Sequence, residues 1–456
     1  MMSLAILAEA LKASHIGKDA VFTGVCHDTR TLQPGDLYVA IKGEHFDGHS
    51  FLAEAITAGA VGALLARDME TSLPYVRVPN TRLGLGNLGA FWRGQFKIPV
   101  IAVTGSNGKT TVKEMIGAIL GETGPGCVTR GNLNNDIGVP LTLSRLRAGD
   151  KYAVIEMGMN HLGEIEYLSR LTSPTIALIT NAGEAHLAGV GTVEDVARAK
   201  GEIFMGLSED GTAVLNADDP HFLLWKTFTG LKKCLSFGLD HKADVSGAYE
   251  LTDTGSVIQL KTITYGDIDM RIPLLGRHNV MNALAATAAA LAAGASLENV
   301  KIGLEKLKTV SGRMEVKQGI SGARIIDDTY NANPASVAAG LQVLKEFSGE
   351  RVLVLGDMGE LGAAAADIHF RVGQLASRIG VQRLFAIGEL SRIAVGAFGK
   401  GARHFESHVA LIEALQDCLH AEMTVLVKGS RLMRMERIVA GITKKSPAKT
   451  ETGRSR

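Results

Sequence analysis

Charge of one prevailing sign is missing: 48 Lys and Arg face 47 Asp and Glu across 456 residues, a net of +1. That balance argues against a dedicated nucleic-acid binder, which carries a clear basic excess. Cysteine is scarce. Cys26 and Cys127, the nearest two of four, lie about a hundred residues apart, so no C-x-x-C zinc or redox pair exists. Isolated thiols fit a reducing cytosol. Long hydrophobic runs are also missing. The longest uncharged helical stretch, around residues 283–297, is Ala-rich and short of the roughly 20 residues that span a bilayer. It reads as a buried helix. The opening MMSLAILAEALK lacks the basic flank of a signal peptide. A cytoplasmic protein with no nucleic acid and no stable membrane insertion is expected. Aromatics make up only 5%, whereas glycine reaches 53 residues, well above the ~7% of an average chain. Both fit an α/β enzyme with tight strand-to-helix turns better than an all-β binding module.

Length suggests about three domains. Residues 1–97 mix short strands, turns and one helix. Pro99 precedes the apolar run VIAVTG, a plausible boundary. From 98 to 313, apolar runs such as YAVIEMG and TIALITN alternate with helical segments, as in a mainly parallel sheet. A more polar stretch near 240–275 reads as an antiparallel β insert. From 314 to 443 the pattern restarts with IIDDTY, RVLVLGD, RLFAIG and TVLVKGS, the mark of a Rossmann-like doubly wound unit. The end, 444–456, holds five basic residues and one acidic one and reads as a disordered tail. The expected fold class is therefore α/β in three domains.

Residues 104–111, TGSNGKTT, follow one apolar run and open a helix. Backbone N–H groups of such a loop cradle phosphate oxygens. Thr104, Gly105, Ser106, Asn107, Gly108, Lys109 and Thr110 are thus candidate ATP-binding residues. Lys109 can neutralise the β/γ-phosphates and the Thr110 hydroxyl can ligate Mg²⁺. The loop is two residues shorter than a standard Walker A, with Val103 where that pattern needs Gly. A Gly-rich turn with a chance GKT is the plain alternative. Glu156 ends YAVIEMG, at the end of a parallel strand, where a carboxylate can share Mg²⁺ with Thr110 or merely cap a loop. His186, in NAGEAHL, is read from its residue type alone as structural or solvated. Lys200 borders an apolar helix face, where a lysine ordinarily snorkels to solvent. Asp327 and Asp328 pair at another strand end. Arg313 sits at the presumed hinge and suits a phosphate. Asn279 and Asn282, three apart on one helix face, can meet adenine edges, or Asn279 can cap.

TGSNGKTT, NLNNDIGVP, EMGMNHLGEI, NAGEAHL, ARAKGEIF, GRHNVMNALAA, SGRME, DDTYNANPAS, VLGDMGELG and VLVKGSR, in this order between about residues 20 and 440, resemble the Mur ligase family. NLNNDIGVP, DDTYNANP and LGDMGELG mark the branch that joins D-alanyl-D-alanine to UDP-N-acetylmuramoyl-tripeptide. The resemblance implies a UDP-substrate domain, a central P-loop-like ATPase domain and a Rossmann-like lid, in a monomer. It implies ATP-dependent amide formation through an acyl phosphate, with Mg²⁺. It implies catalytic roles for Lys109, Lys200, His186 and Glu156, and metal roles for Thr110, Glu156, His186 and Lys200 as a carbamate. It places Asn279, Asn282, Arg313 and Asp328 on the nucleotide. Asp28, Thr29, Arg30, Lys42, Gly43, Asn134, Asn135 and Ser430 are placed on the substrate side, with Ser430, Lys428 and Arg431 facing the incoming dipeptide or the acyl group. His27 departs from the family's small hydroxyl residue. Two other readings stay open: a folylpolyglutamate synthetase-like ligase, which lacks DDTYNANP, and an ATP-gated binding protein.

Overall fold

Three separate main sheets organise the chain in the computed structural model, which describes residues 1–184, 190–308 and 311–444. The N-terminal sheet runs Ser14–Ile16, Tyr75–Arg77, Gly62–Leu65, Asp36–Val39, Gly24–Cys26; its first strand alone is antiparallel to its neighbour. A two-stranded ribbon, Met2–Ser3 with Val21–Phe22, lies beside it.

The central sheet has nine strands. Val100–Thr104 sits between Ala153–Glu156 and Ile176–Ile179, all parallel. Alternate side chains enter opposite cores: Ile101 and Val103 face one layer, Val100 and Ala102 the other. Both faces are covered, which is why these strands read as unbroken apolar runs. The helices Lys109–Gly121 and Arg277–Ala292 cover one face. The second is the Ala-rich segment, buried on nearly every side as expected. The polar stretch after residue 240 forms Val245–Thr252, Gly255–Thr262 and Gly266–Ile272. These strands extend the same sheet as an antiparallel edge.

The C-terminal sheet runs Glu315–Gln318, Arg324–Asp328, Met423–Lys428, Glu350–Gly356, Arg383–Ile387, Ala402–Phe405, parallel except for the first strand. The helix Thr81–Arg93 joins the first two units. Asn80 caps it, its Leu85 and Leu88 fill the N-terminal core, and Trp92 donates to Leu146 O at 3.1 Å. The buried Arg93 guanidinium donates to the carbonyls of Thr172, Ser173 and Phe96, replacing lost water at a helix end. The expected basic tail beyond Lys444 lies outside the described residues.

Candidate active site

The carboxyl ends of three adjacent parallel strands deliver the site. Val100–Thr104 feeds the loop 105–108, Ala153–Glu156 ends on its carboxylate, and Ile176–Ile179 leads into Thr180 and Asn181. Gly108 takes φ +82° at the N-cap of the helix Lys109–Gly121, and no side chain caps that helix. Its first N–H groups are left for an anion. A Cβ on Gly108 would strike Asn282 Oδ1, so glycine is demanded by both conformation and space. Lys109 Nζ donates to Gly105 O at 2.6 Å, folding back over the loop. Burial holds its pKa below the ordinary lysine value; the Glu156 charge opposes that shift and Arg313 adds to it.

Glu156 is 2% exposed. Its Oε1 accepts from Asn134 Nδ2 at 2.9 Å, whereas Oε2 has no hydrogen-bond partner. Lys113 Nζ, from a lysine with no exposed surface, lies 3.7 Å from that oxygen, beyond hydrogen-bond reach. A buried carboxylate oxygen without a hydrogen bond is costly. It becomes favourable with a hard cation. Among the described residues no three His, Cys, Asp or Glu side chains converge as a metal cage. One carboxylate beside a hydroxyl therefore suits Mg²⁺ held jointly with phosphate and water, rather than a dedicated protein cage.

Lys200 does not snorkel. It is 1% exposed on the helix Val193–Gly201, and burial together with the Lys109 charge pushes its pKa well below the usual range. The helix turns Val196, Ala197 and Ala199 into the core and takes Lys200 with them. His186 lies outside the described residues.

The C-terminal unit closes a cleft of about 1180 Å³ over this end of the sheet. Arg313 Nη2 donates to Thr110 Oγ1 at 3.1 Å, and its guanidinium lies 4.1 Å from the Tyr330 ring centre. Asp327 and Asp328 point to opposite faces of their strand. Asp327 takes Lys317 at 2.6 Å, and Asp328 takes the buried Lys428 at 2.6 Å. Of the expected residues, Ser106 through Thr110, Asn134, Asn135, Glu156, Asn279, Asn282, Arg313, Asp328 and Ser430 line the cleft. Thr104 lies below the loop, donating to Met157 O at 2.9 Å. Asn279 does not cap: Gly276 holds that position, and Asn279 Nδ2 donates to Leu275 O at 2.8 Å. Asn135 Oδ1 accepts from Gly138 N at 2.9 Å, so its carbonyl is engaged locally.

The five N-terminal residues are not part of this cleft. Asp28 and Arg30 pair at 2.6 Å after the strand Gly24–Cys26, and Arg30 holds the Asp28 carboxyl down at about 2. Thr29 lies between them. Lys42 and Gly43 follow Asp36–Val39, in a turn where Gly43 N donates to Phe46 O at 2.9 Å. Two site residues went unremarked in the sequence. Lys113 follows Lys109 by four, one turn along the same helix, a spacing that was readable. Asn333 precedes a proline that opens a helix, a legible N-cap.

Three family matches cover the chain in order: residues 21–84 match the Mur ligase family, catalytic domain; 103–290 the Mur ligase middle domain; 312–431 the Mur ligase, glutamate ligase domain. UDP-N-acetylmuramoyl-tripeptide–D-alanyl-D-alanine ligase of Escherichia coli (strain K12) is 44% identical over 445 residues, covering 97% of this chain and 98% of that one. Among solved structures, MurF from Acinetobacter baumannii superposes with a TM-score of 0.90 at 36% identity, covering 96% of this chain and 98% of that one. MurF ligase from Thermotoga maritima, solved in complex with ADP, gives 0.84 at 27%, with 93% and 98% covered. Continuous similarity across all three sheets, with a phosphate loop and its acidic neighbour where the central and C-terminal units meet, makes the chain a member of the Mur ligase family.

Proposed function

We propose that the chain joins D-alanyl-D-alanine to UDP-N-acetylmuramoyl-tripeptide at the expense of ATP, the last cytoplasmic step towards the UDP-MurNAc-pentapeptide of peptidoglycan. The observation that carries this reading is the meeting of an uncapped phosphate-loop helix, a folded-back Lys109 and a carboxylate with an open buried oxygen at one sheet end. Residues 1–97 act as the UDP-substrate unit, 98–313 as the ATP unit and 314–443 as the lid. ATP lies along the loop, with Asn279, Asn282, Arg313 and Asp328 towards the nucleotide.

The tripeptide carboxylate attacks the γ-phosphorus and ADP leaves, giving an acyl phosphate. The D-alanyl-D-alanine amine then attacks the acyl carbon, phosphate departs with the C–O electrons, and the amine loses a proton. Several anions must converge, so Lys109 offsets repulsion where charge gathers. Mg²⁺, when bound, would be held by Glu156 and Thr110 and would supply further charge neutralisation. Lys200 serves as a carbamate. Burial and the Lys109 charge both disfavour its protonated form, and the free amine can add to CO₂ with loss of a proton to give a carboxylate-like anion. Asn134 orients Glu156. The enzyme acts as a monomer in the cytoplasm; among the described residues no helix is long and apolar enough to cross a membrane.

Purified protein should release phosphate from ATP only when UDP-MurNAc-tripeptide and D-alanyl-D-alanine are both present. Equal turnover with a free diamino acid in place of the dipeptide would overturn the assignment.

A further inference from the structure

Asn333, in the C-terminal unit, touches the phosphate loop 226 residues away. Its Nδ2 donates to Asn107 Oδ1 at 2.8 Å. The polarity of that bond is dictated at the other end of the Asn333 side chain. Asn333 caps the helix Pro334–Lys345, and its Oδ1 accepts from Ser336 N at 2.9 Å. A backbone N–H can only donate, so the oxygen of Asn333 must face the helix and its NH₂ must face Asn107. That NH₂ can only donate in turn, so Asn107 must present its oxygen to the C-terminal unit.

The backbone groups of Asn107 are also committed. Its N–H donates to Asn181 Oδ1 at 3.0 Å, and its carbonyl accepts from Thr180 Oγ1 at 2.6 Å and Asn181 Nδ2 at 3.1 Å. The backbone is pinned and the amide orientation is set. What remains is Asn107 Nδ2, which donates to no described residue, on a side chain lining the cleft.

We infer that Asn333 is a positioning residue: docking of the C-terminal unit turns the Asn107 amide so that its NH₂, not its oxygen, meets the phosphate chain. The inference rests on the nucleotide occupying the phosphate loop. It links domain closure to phosphate recognition, because an Asn107 freed from Asn333 can flip and present an acceptor to an anion. Two good N-caps separate this role from a simple latch. Asn333→Ser keeps the cap but is too short to reach Asn107. Asn333→Asp keeps the cap and can keep a bond to Asn107, but accepts instead of donating and so reverses the amide.

Binding of Mg²⁺–AMPPNP to the full chain is measured by calorimetry, with melting temperature alongside. Asn333→Asp is expected to weaken binding by about tenfold or more and Asn333→Ser by less, since a lost charge-assisted bond is worth about that factor. KM for ATP should rise by matching factors, and both variants should melt within a few degrees of wild type. In an Asn107→Ala background, Asn333→Asp should change affinity by less than about twofold. Wild-type-like binding by Asn333→Asp would overturn the inference, as would weaker binding by Asn333→Ser than by Asn333→Asp. An Asn333→Asp effect of full size without the Asn107 side chain would overturn it too, because direct charge repulsion would then suffice. Failure of the wild type to bind AMPPNP would instead remove the nucleotide reading and the inference with it.

Discussion

Replacing Lys113 with methionine takes a cation from a place where water cannot replace it. Lys113 has no exposed surface, Glu156 is 2% exposed, and the two charges lie 3.7 Å apart. At an effective dielectric of about 20 such a pair attracts by roughly 4 kcal/mol, and desolvation of both groups offsets part of that. The second partner of Lys113, Glu114 at 2.9 Å, is 41% exposed and contributes little. Removing one member of a buried pair leaves the other uncompensated, so Lys113→Met is expected to cost about 3 kcal/mol. In a Glu156→Gln background no carboxylate charge is stranded, and the same substitution should cost at least about 2 kcal/mol less. Urea unfolding followed by tryptophan fluorescence can read this. Of the only two tryptophans, Trp225 is buried in one core of the central unit and Trp92 packs between that core and the N-terminal one, so the transition reports the central unit through Trp225. Single-variant losses that add within ~0.5 kcal/mol would refute the coupling.

Lys109→Ala should lower kcat by about a hundredfold or more in the phosphate-release assay, because it removes charge neutralisation where charge gathers; retained turnover would contradict the loop assignment. Lys200→Ala should lose activity that added short carboxylic acids partly restore, and full activity without rescue would discard the carbamate. Burial holds His278 at about 4, with the Asp328 charge opposing and Lys428 reinforcing. The unfolded chain takes up a proton near 6.5 that the folded chain refuses, so the stability from this group is complete above ~6.5 and is lost as pH falls towards 4, by of order 3 kcal/mol at most. His278→Gln should flatten the stability–pH slope in that window, and an unchanged slope would show that other groups set it.

The phosphate loop was legible because its parts are local: an apolar strand, glycines for positive φ, and a helix beginning at Lys109. The paired acids Asp327 and Asp328 were legible as a strand end, but not their divergence to Lys317 and Lys428, which needs the neighbouring strands. Glu156 read as either ligand or cap. That its Oε2 lacks a hydrogen bond became visible only once Asn134 and Lys113 were in place around it.

Periodicity and turn chemistry are short-range, so the chain by itself determined the α/β class, the uncapped phosphate-loop helix and the Asn333–Pro334 helix start. Burial and pairing depend on what distant segments bring. Lys200 sits on a helix edge from which lysines ordinarily reach water; packing of Val196, Ala197 and Ala199 into the core leaves it none. Likewise only the docking of the C-terminal sheet on the central one puts Arg313 against Thr110 and Asn333 against Asn107, and no local preference encodes a hydrogen bond that spans 226 residues.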